Sequence, residues 1–228
     1  MSDYPLDIVF QDNHLIVINK RAGEITQGDK TGDEPLPELI KSYLKWKYNK
    51  PGNVFCGVIH RLDRPTTGIV VFARTSKALE RMNEQFREKE TNKIYWAIVE
   101  NKPAKDEDTL VHYLKKNEQQ NKSYVVDEKD PQAKKAILHY KVIKSSDNYH
   151  LLEVVLETGR HHQIRAQLAS IGSIIKGDLK YGAKRSNPDA SICLHARELQ
   201  INHPITKEKT SFVAPVPKDA LWQFFEPK

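Results

Sequence analysis

Apolar residues along this chain come mostly in short runs bounded by Gly, Pro, Asn and Asp, the signature of a protein rich in strands. Residues 7–10 and 15–18 read as two strands around a turn at 11–14, and further strands are predicted at 58–59, 69–72 and 93–99. Residues 109–114 and 123–126 alternate and predict a protruding hairpin. Residues 136–143 and 149–156 predict an antiparallel pair, and short strands follow at 199–201 and 210–213. Helical spacing is rarer. Pro37 opens a helix to about Tyr48 with Leu39, Ile40, Tyr43 and Leu44 on one face, and Gly28 to Pro37 before it reads as a mobile loop. Ser76 caps a second helix over 77–89 with a stripe of Leu79, Met82 and Phe86. A third spans about 161–170 on Ile164, Leu168 and Ile171 and stops at Gly172; residues 220–225 make a short amphipathic end. The fold class expected is α+β, a mainly antiparallel sheet with helices at its sides.

Composition narrows the class. Hydrophobic residues are 39% and charged residues 29%, ordinary globular values rather than those of a disordered chain. No apolar run approaches the roughly 20 residues of a membrane span, and the start lacks a signal-peptide pattern, so the cytoplasm is expected. Cys56 and Cys193 lie far apart in apolar contexts without a C-x-x-C pair, which predicts buried free thiols and argues against zinc or thioredoxin-like chemistry. A net charge of +6 suits a polyanionic partner.

The chemistry concentrates in residues 56–75, CGVIHRLDRPTTGIVVFART. A single carboxylate, Asp63, stands between Arg61 and Arg64 in a loop flanked by two apolar strands. Pro65 fixes its own φ and disfavours helix at Arg64, and Gly68 permits a sharp reversal, so the loop is stiff. A stiff loop presenting an acid suits catalysis; an Arg–Asp surface pair in a turn accounts for the same residues without chemistry. HRLDRPTTG resembles the HRLD-x-x-(T/S)-(S/T)-G signature of the RluA-type pseudouridine synthases, which isomerise uridine in RNA. The resemblance makes Asp63 the catalytic residue.

A second stretch, TGRHHQIRAQLASIGSIIKGDLKYG (158–182), is similar to the same family's T-G-R-x-H-Q-I-R-x-H-x-x-x-x-G followed by G-D-x-x-Y-G. It departs at Gln167, where His is usual, and at His161, where Thr is usual. The resemblance makes Arg165 the partner of the catalytic aspartate; a buried carboxylate needs such a cation to stay ionised. The K-x-Y-x-A pattern at 93–97 is similar to another family motif and places Tyr95 against the target base. Without the resemblance, Tyr95 reads as a sheet tyrosine. The L-H-A, H-P and V-A-P-x-P sequence near the C-terminus is similar to the family's closing pattern, which makes Leu194 a base-packing side chain; a core leucine fits it equally.

The resemblance covers nearly the whole chain and implies one catalytic domain over residues 1–228, with a curved sheet and no preceding S4 domain. It implies RNA as partner (tRNA or ribosomal RNA), no cofactor, no metal and no membrane, and a monomer is expected. His60, Arg61, Arg64, Arg160, His162, Gln163 and Leu194 are expected to serve RNA or substrate binding. His60 suits bracing the loop better than chemistry. Arg61 either fills the place vacated by a flipped uridine or contacts phosphate. The adjacent His161 and His162 lack carboxylates or thiols at metal-ligand spacing. The lysine-rich hairpin around residues 115–122 reads as an exposed edge or as an RNA contact. A nucleoside hydrolase would need a second acid or a metal, and Asp178, the one acid in the second signature, suits turn-capping. A non-catalytic RNA-binding protein on the same fold is the other rival.

Overall fold

The computed structural model describes residues 5–28 and 32–226. The expectation of a mobile loop over 28–37 falls partly on residues 29–31, outside the described residues. The chain divides into two compact units. One runs to Thr91 and takes up Ala196–Pro215; the other holds Asn92–His195 and the chain from Val216 onward.

In the first unit, β1 (Ile8–Gln11) and β2 (Leu15–Lys20) form the expected hairpin, and β2 also pairs antiparallel with β4 (Thr67–Ala73). Asp12 makes the turn, because its Oδ1 accepts from the amides of His14 and Leu15. The two-residue β3 (Gly57–Val58) adds to the end of β4. Leu15, Val17, Ile69 and Val71 supply one core here, met by Met82, Leu199 and Phe212.

Helix α1 (Leu36–Lys47) has Pro37 in its first turn and buries Leu36, Pro37, Ile40, Tyr43 and Leu44, whereas Leu39 is only half-buried. Helix α2 (Ser76–Arg87) is capped by Thr75, not by Ser76: the Thr75 Oγ1 accepts from the Ala78 amide at 3.2 Å. Its buried residues are Ala78, Met82 and Gln85, a stripe turned from the expected one. Gln85 tolerates burial because its amide bonds both the carbonyl and the N–H of Asn202.

The second unit carries strands in the order β5 (Asn92–Val99), β9 (His150–Leu156), β8 (Lys134–Ser145), β6 (Glu107–Asn117) and β7 (Lys122–Val126), each neighbour antiparallel. A register shift between Val142 and Lys144 marks a bulge, which bends β8 as a curved sheet requires. The residue 109–114 and 123–126 hairpin is the β6–β7 pair, longer than the alternation predicts. Helix α3 (Gln163–Ser170) begins after His162, which takes left-handed backbone at φ 51°. The short α4 (Ala220–Phe225), capped by Asp219, buries Trp222 and Phe225 in this unit's main core with Ile98, Leu152 and Val154. β10 (Leu194–Asn202), which belongs to the first unit from Ala196 onward, pairs within that unit with β11 (Lys209–Val213).

Both cysteines are free; Cys193 is buried and Cys56 half-buried, and desolvation raises their thiols to about 11 and about 12. Among the described residues no helix is long and apolar enough to cross a membrane, and no group of three or more His, Cys, Asp or Glu could hold a metal ion.

Candidate active site

The Asp63 loop joins β3 to β4 in the first unit. Its entry is held by His60, whose Nε2 accepts from the Val71 amide at 3.1 Å and whose ring stacks on Phe86. An accepting Nε2 places the imidazole proton on Nδ1. The turn itself closes with the Thr66 amide donating to the Asp63 carbonyl at 3.0 Å, around Pro65. Asp63 is half-buried. Arg64 reaches Asp33, and the exposed Arg61 donates to Gln27 Oε1 at 3.1 Å.

The deepest support of this loop is Lys20, at the end of β2. Its ammonium, on a side chain only 1% exposed, donates to the carbonyls of Arg21 (3.0 Å), Arg64 (3.0 Å) and Thr66 (2.7 Å). The Gly23 amide also donates to Arg64 O at 3.0 Å. Burial lowers the ammonium's pKa to about 8, against the attraction of Glu24 and Asp63.

Gly68, the second residue of β4, lies opposite Lys20. It has φ 108°, and a Cβ there would meet the Ala196 carbonyl oxygen at 2.3 Å. The glycine is therefore needed for close approach of the β10 backbone as well as for its left-handed conformation.

In the second unit, α3 carries Arg165 into the interior. Its Nε and Nη2 donate to Asp178 Oδ2 and Oδ1 at 2.7 and 2.8 Å, and its guanidinium lies 5.1 Å from the centre of the Tyr181 ring. Asp178 makes no cap hydrogen bond to the 3-10 turn Leu179–Tyr181. The turn-capping expected of this residue is corrected: its carboxylate faces the guanidinium. Gly177, at φ 86° with the Ser191 backbone 2.8 Å from where a Cβ would sit, lets the chain deliver Asp178 to that spot.

Tyr181 completes the cluster. Its hydroxyl donates to Ser123 O and accepts from Ser123 N, both at 3.0 Å, and lies 3.1 Å from His162 Nδ1. With the phenol proton given to Ser123, His162 Nδ1–H is the donor. Burial, with Arg165 and His161 adding to it, lowers the His162 pKa to about 2, which keeps the imidazole neutral. His161 stacks on His162 and meets Ser123 Oγ at 2.9 Å.

The residues expected to contact RNA fall into two groups. Arg61, Arg64 and Arg160 are at least partly accessible; Arg160 donates through Nε to Lys135 O. His162, Gln163 and Leu194 are buried. Gln163 accepts from Thr158 Oγ1 and Arg160 N and donates to Ile137 O, so its amide ties the start of α3 to β8. Leu194 lies in the main core of the second unit, and Tyr95, paired with Val154, packs half-buried against that core.

Lys20, Tyr181 and Ser123 were not singled out in the sequence. The alternation of β2 does point to Lys20, since Ile16 and Ile18 precede it on one buried face.

An RNA pseudouridylate synthase family model matches residues 14–170, a stretch that includes both the Asp63 loop and Arg165. The chain belongs to the RNA pseudouridylate synthase family. It is an RNA pseudouridine synthase of the RluA type. It is 33% identical over 95% of its length to ribosomal large subunit pseudouridine synthase D of Zymomonas mobilis, covering 71% of that protein. It is 34% identical to the dual-specificity RNA pseudouridine synthase RluA of Haemophilus influenzae, covering 92% of each. The solved structure of human RNA pseudouridylate synthase domain containing 4 superposes with a TM-score of 0.79 at 24% identity, over 95% of this chain and 91% of that one, a likeness of fold.

Proposed function

We propose that this pseudouridine synthase acts through Asp63 on a uridine of ribosomal RNA or tRNA. The reaction breaks the C1′–N1 bond, turns the uracil and forms C1′–C5; the C5 proton is lost and N1 gains one. Nothing is oxidised or reduced. An ionised carboxylate beside the ribose serves it either by attacking the sugar or by removing a proton from it. Arg165 serves as the partner of the catalytic carboxylate and Tyr95 braces the uracil, the roles their motifs carry in the family. Arg61 attends the flipped nucleotide.

The observation that carries this reading is the HRLD loop itself. Its one carboxylate sits in a turn closed by Thr66 and fastened at both flanks, by His60 and by Lys20. Such immobility suits a group that must meet one atom of a flipped nucleotide. RNA as partner, the cytoplasm and a monomeric, metal-free enzyme are parts of the same proposal.

The test is pseudouridine mapping of RNA from cells with and without the protein, followed by reaction of that RNA with purified Asp63→Asn and Asp63→Ala. Both variants are expected to fold, bind RNA and make no product. Wild-type product from either would remove Asp63 from the reaction. Release of free uracil would instead favour a hydrolase.

A further inference from the structure

A lysine with no solvent contact is costly to bury, and β2 could have continued its buried face with another isoleucine. The structure instead spends the ammonium's three protons on three carbonyls, two of which, Arg64 and Thr66, flank Pro65 one and three residues after Asp63. Charge-assisted hydrogen bonds to carbonyls are among the stronger ones available inside a protein. The Thr66 carbonyl that Lys20 grips belongs to the residue whose amide donates to Asp63. Movement at Thr66 is therefore movement of Asp63.

We infer that Lys20 is a positioning residue for pseudouridine formation, fixing the backbone that aims Asp63, and that loss of its proton sets an alkaline limit to the activity. The inference rests on the reading of Asp63 as the catalytic carboxylate. A neutral amine has two protons for three carbonyls and turns a lone pair toward one of them, so the grip on the loop weakens. The charged groups that face Lys20 are Glu24 and Asp63, which favour the ammonium, and Arg64, which opposes it; burial outweighs them and brings its titration to about 8.

The experiment measures single-turnover pseudouridine formation from about pH 6.5 to 9.5, and RNA affinity, for the full-length wild type, Lys20→Met and Asp63→Asn. The substrate is RNA from cells lacking the protein. The wild-type rate is expected to fall with the slope of one proton above about pH 8. Lys20→Met is expected to lose about 100-fold in rate, the scale of a small misplacement of a reacting group, with RNA affinity retained and the alkaline limb gone. A Lys20→Met enzyme with wild-type rate and wild-type pH profile overturns the inference. If Lys20→Met does not fold, a wild-type rate that stays level to the top of the range overturns it equally. Full activity in Asp63→Asn would instead undo the underlying reading, so the two failures are distinguishable.

Discussion

Arg165 and Asp178 form a two-point ion pair in an interior where they are 5% and 1% exposed. Thirteen residues separate them, and each satisfies the charge of the other in surroundings that neither could occupy alone. Asp178→Ala leaves a buried guanidinium short of its carboxylate and is expected to lower stability by roughly 3–5 kcal/mol, read by denaturant unfolding. Arg165→Ala is expected to cost a similar amount and to abolish product. In Arg165→Met with Asp178→Leu, stability should return toward wild type while activity stays lost. A double variant as unstable as the singles would show that the pair contributes beyond mutual neutralisation.

Gly68→Ala is expected to disable folding rather than catalysis alone. The added methyl would lie 2.3 Å from the Ala196 carbonyl oxygen and 2.6 Å from its nitrogen, both backbone atoms in a strand, and φ 108° is strained for any side chain. The loss should exceed about 1 kcal/mol and be visible as a lower melting temperature. A melting temperature equal to wild type would mean that β10 gives way locally.

Lys20 gives stability and activity opposite responses to alkali. Its pKa is about 8 folded and 10.5 in the unfolded chain, so between these values the unfolded state binds more protons and stability rises with pH. The folded state gains about 3 kcal/mol over that window, with the penalty fully present below pH 8. Urea titrations at about pH 8 and 10 should show this slope in wild type and lose it in Lys20→Met. A slope unchanged in the variant would assign it to other groups.

His162 acts in the same sense at lower pH. Its folded pKa of about 2 lies below the unfolded 6.5, so its contribution is complete above pH 6.5 and drains away as acid protonates the unfolded chain. His162→Gln is expected to flatten the acid side of the stability profile, measured by urea unfolding across pH 4 to 7 at roughly constant salt. An acid slope identical to wild type would remove His162 as its source.

The strands were the most legible part of the fold. Short apolar runs and turn residues located β1, β2, β4, β5, β8 and β9 to within a few residues. The stripe of α2 was less so, because Gln85 is buried through a backbone partner, Asn202, that lies far along the chain. The Asp63 loop was visible as a motif, but its fastening was not. The alternation of β2 puts Lys20 on the buried face, but what its ammonium bonds there is shown only by the carbonyls of Arg64 and Thr66. The pattern around Asp178 suits a turn cap, and its meeting with Arg165 is not legible there because it depends on the backbone Gly177 allows. Local pattern reports which residues can be buried; long-range hydrogen bonds decide which polar ones are.

One last consequence belongs to Tyr181. β7 ends the strand order of its unit, and at Ser123 the phenol takes both the N–H and the carbonyl that a neighbouring strand would otherwise claim. A single side chain thus imitates a β-bridge and closes the terminal ladder to strangers, with Lys122 set over the same ring. Removing that oxygen, as Tyr181→Phe does, should leave the hairpin open to recruitment by other copies: the variant would form sheet-like aggregates at concentrations where the wild type stays dispersed, and light scattering during storage would register the difference.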